Sequence, residues 1–436
     1  MMLLRNFINQ KNVFIRNSVQ YVKLNPLQQE LVDRRPDLDL ERLTDEEHIE
    51  TIEKNIKSRK GVGDVKKIHE IWRSIECFDN SKYTSMEESK KIFKNLWDQL
   101  YLEAYNIPNK THPSVPLGTE ENGKIVKSFH LTDDPLPNVQ TAEDIGKSWR
   151  NLSYPSRASG NRSYYFNGFL SFLEKALLKY AYNYVKSLGF IPVIVPDIVH
   201  NNVTVGCGVS QRSDHSIQYS VLNNPSLHLA GTSEMGLAGL LEGKFFIKHD
   251  IFPKKFVALS RCYRPEINQS VNEAKLYRVH EFFKVEMFSI CRPDQSDGVL
   301  EEFVEIQKKI IEDLEIPYQL IDMASEELGA SAYRKYDINC LMPGRKLFGE
   351  VTSASNCTDY QSRRLNIRFK NVDGNYEYIH TINGTAMAST RSLISLLENW
   401  RMKRGRTSSF EKLCASDKKD IWKPIKITEA SVFKYQ

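Results

Sequence analysis

RCYRPE at 261–266 and YRVHEFFKVEMF at 277–288 decide how this chain reads. Both alternate apolar and charged residues, the period-two pattern of a strand with one buried face. The residues between them, Ile267 to Leu276, form a loop. The pair therefore reads as strand, loop, strand. Arg264 and Glu266 differ by two and project on the same side of an extended chain, as do Phe282, Lys284 and Glu286. A sheet face carrying these groups can hold a nucleotide. The aromatic ring stacks on a base, Arg grips phosphate, and Glu takes amino protons or a metal. The same spacing also suits a solvated antiparallel face with cross-strand ion pairs.

Two further runs carry chemistry. In FGEVTSASNCTDYQSRR at 348–364, Glu350 is followed three residues later by the hydroxyl of Ser353, a pair able to ligate Mg²⁺ on a phosphate. A polar loop between strands is the plain alternative. In NGTAMASTR at 383–391, small residues lead into a helix and place Arg391 in its first turn. A cation is disfavoured at a helix N-terminus, and a bound phosphate would resolve the conflict.

Working outward, short β-rich runs lie at 256–262, 282–290, 346–354, 364–370 and 376–382, with helices at 299–314 and 390–400. Many strands with few long helices predict an α+β domain with a mostly antiparallel sheet. No GxGxxG or GxxxxGK[ST] is present, which excludes the usual Rossmann and P-loop nucleotide sites. A long amphipathic helix is predicted over about 169–188. The next run, FIPVIVPDIV, contains Pro192 and Pro196 and reads as an edge or interface strand. Residues 106–160 are rich in Pro and form linker and loop. Upstream, helical spacing of Ile49, Ile52 and Ile56, of Val65 to Ile75, and of Ile92 to Tyr101 predicts a short helical hairpin over 47–105. A small bundle packed on the main domain fits the pattern equally.

The chain has 436 residues, 41% of them hydrophobic and 26% charged, ordinary for a globular protein of two or three domains. No apolar stretch is long enough for a membrane span. Seven scattered Cys with no CxxC pair argue against a disulfide framework and against a Cys-rich zinc site. The net charge is +5, but Arg5, Lys11, Arg16 and Lys23 lie in an acid-free, amphipathic opening with the pattern of a mitochondrial transit peptide. Cleaving residues 1–25 takes the charge from +5 to +1 by removing those four, so overall charge is no argument for nucleic-acid binding.

The order of the three runs resembles the class II aminoacyl-tRNA synthetases. GTSE at 231–234, EVTSASNCTDYQSRR at 350–364 and HTINGTAMASTR at 380–391 closely resemble seryl-tRNA synthetases, while 277–288 and PNKTHPSVPLG at 108–118 look like the animal mitochondrial branch. The resemblance implies an α+β fold: a class II antiparallel sheet flanked by helices, with a short N-terminal helical hairpin. It implies a leader at 1–25, a shortened tRNA-binding-like arm and linker at 26–118, a catalytic domain at 119–405, and a basic extension at 406–436. Carried over residue by residue, Arg264 would hold the α-phosphate of ATP and Glu266 the adenine amino edge. Phe282 would stack on adenine, Arg391 would clamp the γ-phosphate, and Glu350 with Ser353 would hold Mg²⁺. Thr232, Glu234, Glu286 and Thr385 would bind serine. Arg264 and Arg391 would be the catalytic pair. No zinc is implied. A two-fold dimer is, built on the 169–188 helix and Pro196.

Two features depart from the family. The loop Ile267–Lys275 has no Gly and no Arg where active seryl enzymes carry both, and Lys275 matches the lost charge but not its bidentate geometry. The arm is also short. Together these resemble a seryl-tRNA synthetase-like paralogue of insect mitochondria. The expectation is therefore a matrix protein that does not aminoacylate and acts through tRNA or a protein partner, as a homodimer or a heterodimer with the mitochondrial seryl enzyme. The alternative is an active mitochondrial serine–tRNA ligase using ATP and Mg²⁺.

Overall fold

The structure is a computed structural model describing residues 22–83, 85–131, 139–160, 162–209, 218–247, 250–266, 275–371 and 373–402. Most of the expected leader, the loop Ile267–Ala274 and the basic extension lie outside the described residues.

An eight-stranded sheet forms the centre. In chain order its strands are β1 (Lys124–Phe129), β2 (Ile191–Val193), β3 (Lys254–Tyr263), β4 (Glu281–Cys291), β5 (Tyr318–Asp322), β6 (Arg334–Met342), β7 (Leu347–Thr358) and β8 (His380–Ala388). Their spatial order is β1-β5-β6-β7-β8-β4-β3-β2. Every neighbouring pair is antiparallel except β2 on β3, which is parallel. β2 holds Pro192 and lies at the sheet edge, where a missing N–H costs no ladder bond.

Helices cover the sheet. They include α5 (Ala142–Ser148), α6 (Gly168–Ser187), α7 (Ser233–Leu240), α8 (Ser296–Asp313) and α9 (Ser389–Met402). α6 buries Leu170, Leu173, Leu177, Ala181 and Val185, and α8 buries Val299, Phe303, Ile306 and Ile310. Those spacings trace one face of a 3.6-residue helix. Both faces join one core with Val285, Met287, Ile338 and Ile382 from the strands.

The strand expected at 364–370 forms only over its last three residues, after the end of a helix and a turn. Tyr360–Leu365 is helical, and only Arg368–Lys370 is a strand. Asn366 takes the left-handed conformation that ends the helix and turns the chain. β5 and β6 have no counterpart among the expected strands.

Among the described residues the four longest N-terminal helices are α1 (Pro26–Asp33), α2 (Ile49–Ser58), α3 (Val65–Glu76) and α4 (Met86–Tyr105), with a short helix at Leu40–Thr44 between the first two. Side-chain caps fix the starts of α1, α3 and α4. Asn25 and Gln28 form a capping box, Asp64 accepts from Lys67 N, and Ser85 accepts from Glu88 N. α3 and α4 form an antiparallel hairpin, seen in the Lys67–Glu103 ion pair (2.7 Å) and the Trp72–Trp97 ring contact (6.0 Å). The hairpin does not stand alone. Ile52 and Ile56 of α2 and Val32 of α1 share its core with Ile68 and Leu100. Each fully buried aliphatic side chain contributes about 1.5–3 kcal/mol, so the four helices make a small bundle.

That bundle is fastened to the sheet domain. Arg59 Nη1 donates to Asn109 O (2.9 Å) and its Nη2 to Gly329 O, while Asn109 Nδ2 donates to Ser331 O and Cys357 O (both 2.8 Å). Arg363 pairs with Asp37 (3.0 Å). Residues 22–25 also belong to the fold, because Asn95 Nδ2 donates to Val22 O (3.1 Å) and Asn25 caps α1.

Candidate active site

The strand face seen in the sequence lines an open cleft. Arg264, Glu266, Phe282, Glu350, Ser353, Thr385 and Arg391 all face it. Strand alternation brings Phe282 and Lys284 together on β4. Two of the other placements need β-bulges. Glu350 and Ser353 are three apart, a spacing that points to opposite faces on a regular strand. The ladder pairs Thr352 with Ile338 and Glu350 with Asn339, so Val351 is an extra residue and both side chains reach the cleft. On β8, Val285 pairs with Met387 and Glu286 with Thr385, which leaves Ala386 as the extra residue.

Arg264 and Glu266 reach the cleft differently from the expectation. β3 ends at Tyr263, so strand alternation does not align them. Arg264 N donates to His280 O (2.9 Å), and Glu266 turns with φ of 47°. The Arg264 guanidinium lies 5.4 Å from the Phe282 ring centroid, and Glu266 pairs with Arg278 (3.4 Å).

The cations balance one acid. Arg391 Nη1 donates to Glu350 O (3.0 Å) and contacts its Oε2 (3.4 Å). Burial pushes the Glu350 carboxyl up, but Lys335, Arg391, Arg264 and Lys284 together outweigh it and hold the group down at about 2. Glu350 is thus ionised, and its side chain keeps 42% of its surface open. Opposite Ser353 in the ladder stands Asp337, whose buried Oδ1 has no hydrogen-bond partner among the described residues. Hard oxygen donors of this kind suit a Mg²⁺ carried in on a polyphosphate. Among the described residues no group of three or more His, Cys, Asp or Glu is placed to hold a metal without such a ligand.

Below the cleft lies an acidic subsite. Thr232 is the N-cap of α7 and accepts from Glu234 N (3.2 Å), which puts both at the start of that helix. Lys284 Nζ bridges Thr232 Oγ1 (2.8 Å) and Glu286 Oε2 (2.6 Å), and Thr385 Oγ1 donates to Glu286 (3.2 Å). Gln361 Nε2 (2.5 Å) and Asn383 Nδ2 (2.8 Å) both donate to Glu234 Oε1. Burial, with the neighbouring Glu286 charge, pushes Glu234 up to about 7 against the pull of Lys284 and those two amides. Two carboxylates and two hydroxyls in a recess match a small ligand bearing an ammonium and a hydroxyl.

The sequence places Lys284 on the face of Phe282 and Glu286 but gives it no ligand of its own, and it does not single out three other site residues. Asn383 lies two before Thr385 on β8, so alternation points to it. Gln361 and Lys335 carry no such signal. They reach the site only through the helix at Tyr360–Leu365 and through β6.

This antiparallel sheet, with its bulged acid–hydroxyl pair and an arginine in the helix after the last strand, defines a class II aminoacyl-tRNA synthetase core. Residues 219–400 match the model of the tRNA synthetase class II core domain (G, H, P, S and T). The chain is 34% identical over 402 residues to the serine–tRNA ligase of Treponema denticola, covering 82% of this chain and 94% of that one. It is 41% identical over 329 residues to the mitochondrial serine–tRNA ligase of Bos taurus, covering 71% of this chain but only 61% of the relative. A crystal structure of the seryl-tRNA synthetase of Pyrococcus horikoshii complexed with ATP superposes with a TM-score of 0.67 at 28% identity, covering 86% of this chain and 94% of that one. The chain belongs to the seryl-tRNA synthetase family.

Proposed function

We propose that the cleft binds ATP and serine, joins them as seryl-adenylate and passes the seryl group to tRNA, so that the chain works as a mitochondrial serine–tRNA ligase. One observation carries this reading: Arg264, Arg391 and the ionised Glu350 line one cleft with Lys284 and Thr385, which both bond Glu286 of the acidic subsite below it. A carboxylate oxygen of serine attacks the α-phosphorus, and the bond from that phosphorus to its bridging oxygen breaks. Pyrophosphate leaves with the electron pair. No protein nucleophile is needed, only positioning and charge neutralisation. Arg264 neutralises the α-phosphate and Arg391 the γ-phosphate. Glu350 and Ser353 would hold Mg²⁺, which would supply further positive charge to the phosphates. In the ligand-free site Arg391 contacts Glu350 (3.4 Å) and Arg264 lies by Phe282 (5.4 Å), so Glu350 would have to give up Arg391 to hold a metal, and Phe282 would have to give up Arg264 to stack on adenine. Glu234 and Glu286 hold the serine ammonium, and Thr232 and Thr385 its hydroxyl.

The names of the relatives favour this reading over a paralogue that does not charge tRNA. The second reading still has its own support. The longest N-terminal helix has 20 residues, about 30 Å at 1.5 Å per residue, and the strand-joining loop carries neither Gly nor Arg. Under that reading the chain binds tRNA or pairs with the mitochondrial seryl enzyme. In either case it acts as a two-fold dimer across the β2 edge, where Ile191, Ile194 and Ile198 are exposed. Mitochondrial placement rests on the leader-like opening and the mitochondrial relatives.

Serine-dependent ATP–pyrophosphate exchange on the chain from residue 22, followed by charging of mitochondrial serine tRNA, tests the choice. Exchange and charging support the ligase. Exchange without charging supports the second reading. No exchange at high enzyme concentration overturns the adenylation chemistry.

A further inference from the structure

We infer that Tyr277 is a positioning residue that sets the Arg391 guanidinium over the triphosphate end of the cleft. The inference rests on the reading of the cleft as an ATP site. Tyr277 ends a short 3-10 turn, Lys275–Tyr277, immediately after the loop that joins β3 to β4. Its ring lies 4.5 Å from the Arg391 guanidinium carbon, and its carbonyl oxygen accepts from Arg391 Nε (3.3 Å). With Nη1 on Glu350 O, two nitrogens of the guanidinium are fixed by protein oxygens. Among the described residues Nη2 has no protein acceptor, and the side chain lines the cleft. The aromatic face orients the cation without neutralising it, and the carboxylate beside it is a long 3.4 Å contact to Glu350 Oε2 that an incoming anion can replace.

The ring is itself held on several sides. β7 runs close beneath it: a Cβ on Gly349 would lie 2.7 Å from Tyr277 Cε2 and 2.9 Å from its hydroxyl oxygen. Only glycine leaves room for the ring there, next to Glu350. The Arg345 guanidinium is 5.8 Å from the ring centroid. Arg345 is bound in turn by the buried Glu143 of α5, which also accepts from Leu276 N (3.4 Å). Arg345 N donates to the buried Glu398 of α9 (3.2 Å). The turn, α5 and the β6–β7 connection thus converge on one ring, and that ring touches Arg391. No role in phosphate binding follows for Glu143 or Arg345 themselves. They act on Tyr277.

The test measures binding of Mg·ATP and of AMP by calorimetry to the full chain from residue 22 and to Tyr277→Phe, Tyr277→Leu and Arg391→Gln. AMP lacks the phosphates that Arg391 reaches, so it reports on the rest of the site and on folding. Tyr277→Leu should weaken Mg·ATP about five- to thirtyfold, the size of one desolvated cation–π contact, while AMP affinity changes less than about twofold. Tyr277→Phe keeps the ring and should restore Mg·ATP binding. In the Arg391→Gln background, Tyr277→Leu should add nothing. Equal loss of ATP and AMP affinity in Tyr277→Leu, or no loss of either, overturns the inference while the ATP reading stands. If the unaltered chain binds neither nucleotide, the ATP reading fails and the inference goes with it.

Discussion

Serine affinity should depend steeply on pH through a single group, Glu234. Its carboxyl is raised from 4.5 to about 7 by burial and by the Glu286 charge. A serine ammonium needs it ionised, so protonation competes with serine. For a site requiring the deprotonated form, apparent affinity falls by one plus ten to the power of pKa minus pH. With a pKa of about 7 that factor is roughly 11 at pH 6 and 1.1 at pH 8, so the serine KM in pyrophosphate exchange should drop about tenfold between those pH values. Glu234→Gln should remove the dependence. Its amide oxygen can still accept from Gln361 and Asn383, so the fold is kept while serine binding is weak at every pH. The same group has a consequence for stability. The folded state holds this proton at pH values where the unfolded chain has lost it. Stability of the ligand-free protein therefore falls as pH rises from about 4.5 to about 7, by at most about 3 kcal/mol. A serine KM that stays flat from pH 6 to 8 in the unaltered protein would refute the placement of Glu234 under the ammonium.

Other outcomes follow from burial and packing. Lys284→Met leaves Glu286 buried and unpaired, and should cost about 3–5 kcal/mol in urea unfolding; an unchanged midpoint would mean that the 2.6 Å pair is not the anchor described. Starting the chain at residue 26 instead of 22 removes the Asn25 cap and the Val22 contact. It should cost about 1 kcal/mol, read as a lower melting temperature. Equal melting temperatures would show that 22–25 do not anchor the bundle. Ile194→Asp alters a side chain that is 96% exposed in the single chain, so the monomer should fold normally. Light scattering should show the dimer lost, and an intact dimer would move the interface away from this edge.

The strand–loop–strand run was legible because each side chain at spacing two lands on one face, and Phe282, Lys284 and Glu286 do so on β4. Glu350 with Ser353 was readable from residue type as a pair able to ligate Mg²⁺, but a polar loop fitted equally, and the family resemblance gave the pair its role. Alternation alone separates them, and no residue type announces the bulge at Val351. β6 hides its role for a related reason. Lys335, Asp337 and Asn339 share a face, but nothing local says that the face looks toward Glu350 rather than toward water. The N-terminal bundle was half visible. Each helix shows its own apolar stripe, but the stripes do not reveal that Arg59 and Asn109 fasten the bundle to the sheet domain through backbone carbonyls.

The two bulges make this site a matter of parity. Every acid and hydroxyl of the cleft can be present in the sequence while the count of residues between them is off by one. Inserting one residue between Glu350 and Ser353 while the bulge is kept would send the two to opposite faces. All the named ligand residues would remain, and the constellation would still be lost. A lineage that keeps this scaffold but sheds its chemistry needs no change of side chain, only one residue more on a strand. A descendant silenced in that way would pass any inventory of site residues, and only the length between them would betray it.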